Sequence, residues 1–429
     1  MLRAIKASFY RGGTSKGLFF RASDLAPFPQ SMRNEILLSA MGSPDPDGRQ
    51  IDGMGGGISS LSKAVVLSTP GEAVSEMSRG PEYSFPDGVD WVDDVSRASS
   101  ERSGWDVVYR FAQVGVRDFV VDWSSTCGNL VAAVAQYAVD EGLVQKRIEA
   151  SIQGQTPPER FPFATRILAA DSGKIIHATT VVCTPGSLES GRLRWYVSNF
   201  GGASISGVPS TSSPVEIENP LQGNMLPTGR VLDAIPMEGK SIPCTIVDAG
   251  LPSIFIPSSA VFSVPEWFLS HPADLDADPR FRARAEELRY AASRLSPALS
   301  SIFSTSTPKI CVIGSPASYR TTSGEELRSN QMDCVIRAVS VGNFHRTVPA
   351  TMVSALAVAS VLPGSVVWDA CQASVLPQEK NMSLRSITVG QPAGLSKATV
   401  ALDIHGQPKS INYVRTARRL FQGEVLVKA

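Results

Sequence analysis

Two short stretches of this chain are apolar on almost every side, and each lies among segments with the alternating pattern of β-strands. The first covers residues 130–139 and the second covers residues 350–361. A helix without a polar face must be buried, because it has nothing to turn toward water. The sequence therefore predicts an α+β fold of two similar domains, in each of which a β-sheet wraps around one central apolar helix.

The predicted domain boundary falls in a stretch rich in Gly, Ser and Pro at 201–214. We expect an N-terminal domain at 1–210 and a C-terminal domain of similar fold at 211–429, with the last strand able to return to the first domain. A polar stretch at 70–104, without a clear period, is interpreted as a surface insertion. The regular alternation of strand and helix that a Rossmann sheet requires is missing from the pattern.

Hydrophobic periodicity predicts the individual elements in both halves. In the first half, a helix is expected at 31–41, and strands are expected at 4–10, 17–21, 64–67, 107–111, 119–123, 165–169, 175–182 and 193–198. In the second half, strands are expected at 242–248, 253–256, 309–313 and 333–340. Asp278 and Pro279 form a capping signal, which predicts a surface helix from Pro279 to Leu295.

The balance of charges argues against a nucleic-acid partner. Lys and Arg together number 40, Asp and Glu together number 40, and the formal net charge is zero. Such a chain has no basic field that could hold a phosphate backbone. With 43% hydrophobic and 19% charged residues, it has the composition of a globular protein that folds unaided.

The use of cysteine and histidine predicts a reduced protein without a metal centre. The six cysteines lack CxxC spacing and several lie in apolar stretches, so we interpret them as buried thiols. The four histidines are too scattered for a zinc motif. The longest apolar stretch, 352–362, is far shorter than the roughly 20 residues that a membrane span needs. We expect a cytoplasmic protein, with the mitochondrion as the alternative because the N-terminus is basic.

Cys127 is the first candidate for chemistry. It follows a predicted strand and precedes the apolar helix at 130–139, so its sulfur should lie at a helix N-terminus. Exposed N–H groups and the helix dipole lower the pKa of a thiol in that position. Gly128, the next residue, lets the chain approach a ligand closely. The alternative is that Cys127 is an inert buried thiol.

Lys63 is the second candidate. It is the only charged residue between Asp52 and Glu72, and it lies beside the apolar run 64–67. Removal of water from an amine favours its neutral form, which lowers its pKa and makes it usable as a base. The alternative is a lysine at a strand end whose amine reaches water along its own hydrocarbon stem.

Two glycine-rich loops, at 11–17 and 53–57, could present consecutive backbone N–H groups to an anion. Neither loop has the spacing of a nucleotide-binding motif, so a small carboxylate is the compatible ligand. His345 and Arg346, just before the second apolar helix, could also help to bind an anion. For each of these features the alternative is an ordinary turn or a solvent-facing pair of side chains.

Further motifs run along the whole chain. They are Arg-Gly-Gly-Thr-Ser-Lys-Gly at 11–17, Gly-Ser-Pro-Asp at 42–45, Gln-Ile-Asp-Gly-Met-Gly-Gly at 50–56, Ser-Ser-Leu-Ser-Lys at 59–63 and Cys-Gly-Asn at 127–129. The series continues with Leu-Pro-Thr-Gly at 226–229, Val-Asp-Ala at 247–249, Pro-Lys-Ile at 308–310 and Arg-Thr-Ala-Arg-Arg at 415–419. In this order the motifs closely resemble those of the 2-methylaconitate cis-trans isomerase (PrpF) family.

Resemblance to that family implies the diaminopimelate epimerase fold, with the active site in the cleft between the two domains. It also implies cofactor-independent isomerisation of a small unsaturated di- or tricarboxylate, with Lys63 and Cys127 at the positions of the catalytic lysine and cysteine. The residues expected to line the substrate pocket or to hold its carboxylates are Gly12, Gly13, Thr14, Ser15, Lys16, Gly55, Gly56, Gly57, Ser59, Gly128, Asn129, Lys309, His345 and Arg346.

The chain departs from the family pattern at three places. Gln-Pro-Ala-Gly at 391–394 stands where the family has His-Pro-Ser-Gly, and Gly57 stands where alanine is more usual. The polar stretch at 70–104 is also longer than expected. These differences bear on the identity of the substrate more than on the class of reaction.

Among the reactions of the family, we expect conversion of cis-aconitate to trans-aconitate by allylic proton transfer, without a cofactor. The alternatives in the same class are isomerisation of 2-methylaconitate or methylitaconate and tautomerisation of oxalomesaconate. A racemase would need a second cysteine matched to Cys127, which the second half does not supply. The alternative of another class is a non-catalytic accessory protein of an aconitase-like dehydratase. A homo-oligomer is compatible with each of these functions.

Overall fold

The computed structural model describes residues 2–77, 104–152, 158–184, 195–221, 223–237, 239–372 and 383–428. The chain forms two compact units, the first made of Met1–Glu218 with Val414–Ala429 and the second of Asn219–Tyr413. The first unit extends beyond residue 210 because the strand Pro214–Pro220 pairs with residues 177–179. It includes the C-terminal residues because the last strand pairs with the first strand of the chain.

The helices within the described residues, numbered in chain order, are α1 (Ala22–Leu25), α2 (Gln30–Met41), α3 (Pro70–Met77), α4 (Gly128–Asp140), α5 (Gln145–Ser151), α6 (Pro265–Phe268), α7 (Pro272–Ala277), α8 (Pro279–Ser293), α9 (Pro297–Ser301), α10 (Ala350–Ala359) and α11 (Val366–Cys371). Short 3-10 turns cover Ser59–Leu61, Ser258–Ala260 and Ser329–Gln331.

The strands of the first half are β1 (Leu2–Gly12), β2 (Ser15–Arg21), β3 (Lys63–Ser68), β4 (Val107–Val114), β5 (Val121–Asp122), β6 (Arg160–Ala169), β7 (Ile175–Cys183), β8 (Tyr196–Val197) and β9 (Pro214–Pro220). They are followed by β10 (Asp233–Met237), β11 (Lys240–Asp248), β12 (Pro252–Pro257), β13 (Lys309–Gly314), β14 (Tyr319–Arg320), β15 (Glu326–Leu327), β16 (Cys334–Ser340), β17 (Asn343–Phe344), β18 (Leu384–Gln391), β19 (Gly394–Leu402) and β20 (Pro408–Lys428).

In the first unit a mixed sheet packs against the buried helix α4. Strand β1 pairs antiparallel with both β2 and β20, β2 pairs parallel with β3, and β3 pairs antiparallel with β4. The sheet continues through β6, which is parallel to β4, and through β7, which is antiparallel to β6. Helix α4 contacts β1, β2, β6, β7 and β8, and all of its residues are buried. Its many alanines and valines let strands approach it from several sides.

The second unit repeats this plan around α10. Strands β10, β11 and β12 form an antiparallel meander, and β12 pairs parallel with β13. Strand β13 pairs antiparallel with β16, β16 pairs parallel with β18, and β18 pairs antiparallel with β19. Helix α10 is buried along its whole length and contacts β11, β12 and β19. The α+β architecture predicted from two apolar helices is therefore confirmed.

Most predicted elements lie where the sequence places them, and the differences concern short or late segments. Helix α8 begins as predicted, because the Asp278 carboxylate accepts the N–H of Arg280 and Pro279 occupies the first turn. The strand predicted at 119–123 is reduced to Val121–Asp122. Of the insertion predicted at 70–104, the first residues form α3, whereas 78–103 lie outside the described residues, as do residues 193–194 of a predicted strand.

Hydrophobic periodicity predicts no strand after residue 340 apart from a last strand of unstated bounds. Strands β17 to β20 occupy that region. No helix in the described ranges is long and apolar enough to cross a membrane.

The approach of β1 to α4 leaves no room for a side chain at Gly12. A Cβ there would lie 2.6 Å from the carbonyl oxygen of Asn129 and 2.9 Å from the Cα of Leu130. Both are backbone atoms that can move only with the helix, so we expect Gly12→Ala to lower the free energy of unfolding by about 1–3 kcal/mol. Urea denaturation measures this change. The control is Gly202→Ala, where an added Cβ meets nothing within 4 Å. Equal midpoints for both variants would contradict the packing described.

Candidate active site

Lys63 is the first residue of β3, and only 8% of it is exposed, so its side chain does not extend into water. Burial lowers the pKa of its amine, and negative charge on Cys127 acts in the opposite direction. The ring centre of Phe111 lies 4.9 Å from the amine. Attraction of a cation to a ring is worth about 0.5–2 kcal/mol, whereas burial of an ion costs several kcal/mol. The net effect is a pKa of the Lys63 amine below its ordinary value.

Gln113 in β4 holds the Lys63 amine. The two residues are directly paired across β3 and β4, and Lys63 Nζ donates a hydrogen bond to Gln113 Oε1 at 2.5 Å. The amide nitrogen of Gln113 donates to the carbonyl oxygens of Ser59 at 3.1 Å and Ser62 at 2.9 Å. Gln113 is not among the residues predicted from the sequence, because it lies 50 positions from Lys63 and belongs to no motif. The one feature that could have pointed to it is its polar side chain in a strand that is buried throughout.

Cys127 is the N-cap residue of α4, as the sequence predicts. Its thiol lies 3.9 Å from the hydroxyl oxygen of Ser15, the first residue of β2. The phenol of Tyr109 fixes the backbone of Cys127, because it accepts the N–H at 3.3 Å and donates to the carbonyl oxygen at 3.2 Å. The thiol is therefore held at the start of a helix, and the residue remains partly exposed.

Lys63 and Cys127 lie near enough to each other in the first unit to interact electrostatically. Negative charge on Cys127 raises the pKa of Lys63 and adds to the effect of burial in raising the pKa of Tyr109. A phenol with such a raised pKa stays protonated at neutral pH. Tyr109 therefore orients Cys127 as a hydrogen-bonding group.

The connection between β1 and β2 lies against the first turn of α4. Gly13 has a φ of +55°, and a Cβ at this position would overlap the side chain of Asn129. The Asn129 amide donates to the hydroxyl of Thr14 at 3.2 Å and accepts from Nε of Arg415 at 2.9 Å. Arg415 belongs to the motif at 415–419, but the sequence predicts no role for it. In the structure its guanidinium holds the side chain of Asn129.

The predicted site residues at 12–15 and 127–129 are thus brought together. The loop at 53–57 is organised by Gln50, which is 1% exposed. Its amide oxygen accepts the N–H of Gly57 at 2.9 Å, and its amide nitrogen donates to the Ser62 hydroxyl at 2.7 Å. The N–H of Gly55 donates to a backbone carbonyl of α2 at 3.1 Å. Four of the five N–H groups of this loop, those of Gly53, Met54, Gly55 and Gly57, are therefore already bonded within the protein, whereas Gly56 is exposed.

Lys16 lies on the opposite face of β2 from Ser15, because successive side chains of a strand alternate between faces. Its ammonium lies 5.7 Å from the centre of the Phe9 ring, and Lys16 pairs across the strands with Arg11. Among the described residues, no contact joins Lys16 to Lys63 or Cys127.

The remaining predicted residues belong to the second unit. Lys309 begins β13, is buried and donates to a backbone carbonyl just before that strand at 3.1 Å. The ring of His345 lies 3.3 Å from a backbone carbonyl oxygen of β16. Arg346 is exposed, and its carbonyl oxygen accepts the N–H of Ala393 at 2.9 Å.

Gln391, at the main departure from the family motif, is only 2% exposed. Its amide oxygen accepts the N–H of Val348 at 2.5 Å, and its amide nitrogen donates to the hydroxyl of Ser396 at 2.9 Å. Its backbone carbonyl accepts the phenol of Tyr319 at 2.6 Å. These bonds tie the segment before α10 to the β18–β19 hairpin.

The prediction of buried thiols holds for four of the other cysteines, which are Cys183, Cys244, Cys311 and Cys334. It is wrong for Cys371, which is partly exposed because it is the last residue of the short helix α11. Burial raises the pKa of Cys244 to about 12, so that thiol is unreactive at neutral pH. Within the residues that the structure describes, no group of three or more His, Cys, Asp or Glu could hold a metal ion.

Comparison with known proteins extends over the whole chain. A family model described as "PrpF protein" matches residues 2–82 and 92–428. A 2-methyl-aconitate isomerase of Shewanella oneidensis is 31% identical, over 99% of this chain and 96% of that relative. A (4E)-oxalomesaconate Delta-isomerase of a Novosphingobium species is 29% identical, over 97% of this chain and 96% of that relative.

A solved structure gives the same result for the fold. The crystal structure of a methylitaconate-delta-isomerase superposes with a TM-score of 0.66 at 25% identity, over 99% of this chain and 96% of the other. A match of this extent covers the sheets and the buried helices of both units. The fold predicted from the family resemblance is therefore confirmed.

The environment of Lys63 makes its titration a direct test of the site. We expect the Lys63 amine to titrate below the ordinary value of 10.5, because burial disfavours its charged form. Removal of the Cys127 sulfur in Cys127→Ala should lower the midpoint further, because negative charge there raises the pKa of Lys63. NMR of protein labelled with [ε-13C]lysine measures both, with the Lys63 signal identified by its loss in Lys63→Ala. Exposed Lys146 is the internal control. A wild-type midpoint at or above 10.5 would show that the amine is not desolvated in solution.

Proposed function

This chain belongs to the PrpF family, and from that premise we propose that it converts cis-aconitate to trans-aconitate by moving a proton within the allylic system of the substrate. Family membership, and relatives named as isomerases that match almost the whole chain, make the protein an isomerase of small unsaturated acids. Within that class we assign aconitate as the substrate and Lys63 and Cys127 as the acid–base pair.

One observation carries this assignment. A desolvated amine and a thiol at a helix N-terminus are electrostatically coupled within one unit. Proton transfer at carbon needs a base that is neutral near the working pH and an acid that can deliver a proton to a second carbon. Pure binding of a carboxylate needs neither, so the pair favours an enzyme over a non-catalytic accessory protein.

The chemistry of aconitate matches such a pair. Its CH2 group is flanked by a carboxylate and by the carbon–carbon double bond, so loss of one proton gives a carbanion delocalised over the allylic system and the carboxylates. We assign removal of this proton to the neutral amine of Lys63. The thiol of Cys127 then delivers a proton to the other allylic carbon, which leaves an ammonium and a thiolate that reset by proton exchange. The reverse assignment of base and acid uses the same two groups.

For aconitate, moving the double bond across the central carbon regenerates the same constitution. The new double bond can form with the other geometry, so the cis isomer becomes the trans isomer without rotation about an intact double bond. The same shift in 2-methylaconitate always gives a product of different constitution. Its cis-trans isomerisation therefore needs rotation in the carbanion and return of a proton to the original carbon. Proton transfer alone therefore completes the reaction only for the unmethylated substrate.

The carbanion requires donors that stabilise its carboxylates as charge develops. In the first unit we assign this role to the N–H groups at the start of α4 and to the connection at 12–15, which Asn129 holds against that helix turn. The hydroxyl of Ser15, next to the thiol of Cys127, is a further donor at the same place.

A second candidate is the cis-trans isomerisation of 2-methylaconitate. It is favoured by the relative from Shewanella oneidensis, which is named a 2-methyl-aconitate isomerase and is 31% identical to this chain. Both reactions begin with removal of the same kind of allylic proton, so Lys63 keeps its role as the base. The two candidates differ in whether the pocket admits or requires a methyl group on the double bond.

Proton NMR of the purified protein with cis-aconitate in deuterated buffer tests the assignment of substrate. We expect trans-aconitate to appear together with deuterium at the allylic carbons, because the transferred proton passes through groups that exchange with solvent. The same measurement with 2-methylaconitate is the comparison. Turnover of 2-methylaconitate with neither product nor exchange from aconitate would assign the protein to the second candidate.

Replacement of the acid–base pair tests the assignment of residues. Lys63→Ala and Cys127→Ala should each reduce kcat by at least about 100-fold, because general acid–base catalysis contributes roughly 100- to 10,000-fold. Circular dichroism and urea unfolding would verify that both variants fold. Lys146→Ala, at an exposed position, and Cys371→Ala, at a partly exposed thiol, are matched controls. Near-normal turnover in either Lys63→Ala or Cys127→Ala would remove that residue from the mechanism.

A further inference from the structure

The amide of Gln113 can take only one orientation. Its nitrogen lies 3.1 Å from the Ser59 carbonyl oxygen and 2.9 Å from the Ser62 carbonyl oxygen, and both of these atoms can only accept. Reversal of the amide would place oxygen against oxygen at both contacts. The amide oxygen must therefore face Lys63 Nζ, 2.5 Å away.

The acceptor that meets Lys63 is thus a strong hydrogen-bonding atom without a formal charge. Among the described residues, no carboxylate pairs with this amine, and Cys127 is the titratable group whose negative charge would act on it. Strand β4 also places the Phe111 ring next to the amine. Tyr109 lies two residues before Phe111 in the same strand, and its phenol donates to the backbone carbonyl of Cys127. From β2, the facing residue is Gly17.

We propose that Gln113 is a positioning residue, which fixes the Lys63 amine through one N–H and, because it is uncharged, keeps that amine available as a neutral base. One donated N–H leaves the second N–H and the lone pair of a neutral amine for the substrate. A glutamate of the same length would pair with an ammonium and hold the proton on Lys63. A side chain without an acceptor would leave the amine on its four flexible bonds.

The inference rests on the proposed role of Lys63, so it needs a readout that does not depend on turnover. The NMR titration of Lys63 supplies that readout, because it reports the ionisation of the amine whether or not the amine is catalytic. The acid side of the kcat/KM profile reports the same ionisation through the reaction, since a base must be neutral to act.

Two substitutions at Gln113 separate charge from position. In Gln113→Glu, an opposite charge next to the amine should move both the NMR midpoint and the acid limb to higher pH by about one unit or more. In Gln113→Met, which has a similar length and no comparable acceptor, neither should move upward. There kcat should fall by about tenfold or more with KM within a few fold, because small displacements of a reacting group are costly.

Gln136→Glu is the matched control. Gln136 is a buried residue of α4 that donates to Asn199 at 3.0 Å and makes no described contact with Lys63. The same Gln-to-Glu change there should leave the titration of Lys63 and the pH profile at their wild-type positions. Thermal unfolding of each variant verifies that it is folded, and Gln113→Met decides the matter if Gln113→Glu does not fold.

The outcomes separate this inference from the proposed function. An upward shift for Gln113→Glu with loss of kcat for Gln113→Met supports the positioning role. An unchanged Lys63 titration in folded Gln113→Glu, or an unchanged kcat in Gln113→Met, overturns it. If the titration shifts but Lys63→Ala retains turnover, the proposed role of Lys63 as the base fails while the control of the amine by Gln113 stands.

Discussion

The close contact between the β1–β2 connection and the first turn of α4 is the constraint on which the candidate site depends. Glycine at position 12 lets the strand backbone approach Asn129 and Leu130, and Gly17 leaves no room for a Cβ beside the Lys63 carbonyl. Because these contacts are made with backbone atoms, they fix Cys127 relative to Ser15 and hold β2 against both α4 and β3. The positions of the thiol and of the amine follow from one packing arrangement.

Burial of an amine is costly, and the structure offsets that cost without an ion pair. A carboxylate beside Lys63 would stabilise the protein but would also hold the amine protonated. Gln113 supplies a hydrogen bond instead, and its own amide nitrogen is satisfied by two carbonyl oxygens. Selection for stability alone would not favour a buried lysine at this position. The arrangement agrees instead with the proposed role of Lys63 as a base.

Local signals in the sequence predicted the parts of the fold that depend on local physics. The apolar stretches at 130–139 and 350–361 could only be buried helices, and Asp278 could cap α8 without help from distant residues. The return of β20 to pair with β1 joins the two ends of the chain, and no pattern within either strand specifies its partner.

The candidate site shows the same difference between features set by neighbours in sequence and features set by the pairing of distant strands. Cys127 could be placed at a helix N-terminus from its neighbours in sequence, whereas Gln113 reaches Lys63 only through the register of β3 and β4. Lys16 shows the opposite case. The sequence places it in a glycine-rich loop at 11–17, whereas in the structure β2 already begins at Ser15, so Lys16 lies on the other face of that strand.

The replacement of histidine by Gln391 has a structural explanation that the sequence could not supply. Both ends of its amide are engaged, by the N–H of Val348 and by the hydroxyl of Ser396, and almost none of the residue is exposed. A buried amide that is hydrogen-bonded at both ends links the segment before α10 to the β18–β19 hairpin. The departure at 391–394 is therefore accounted for by packing and does not itself indicate a change of substrate. Selectivity among unsaturated tricarboxylates then depends on the side chains beside Lys63 and Cys127.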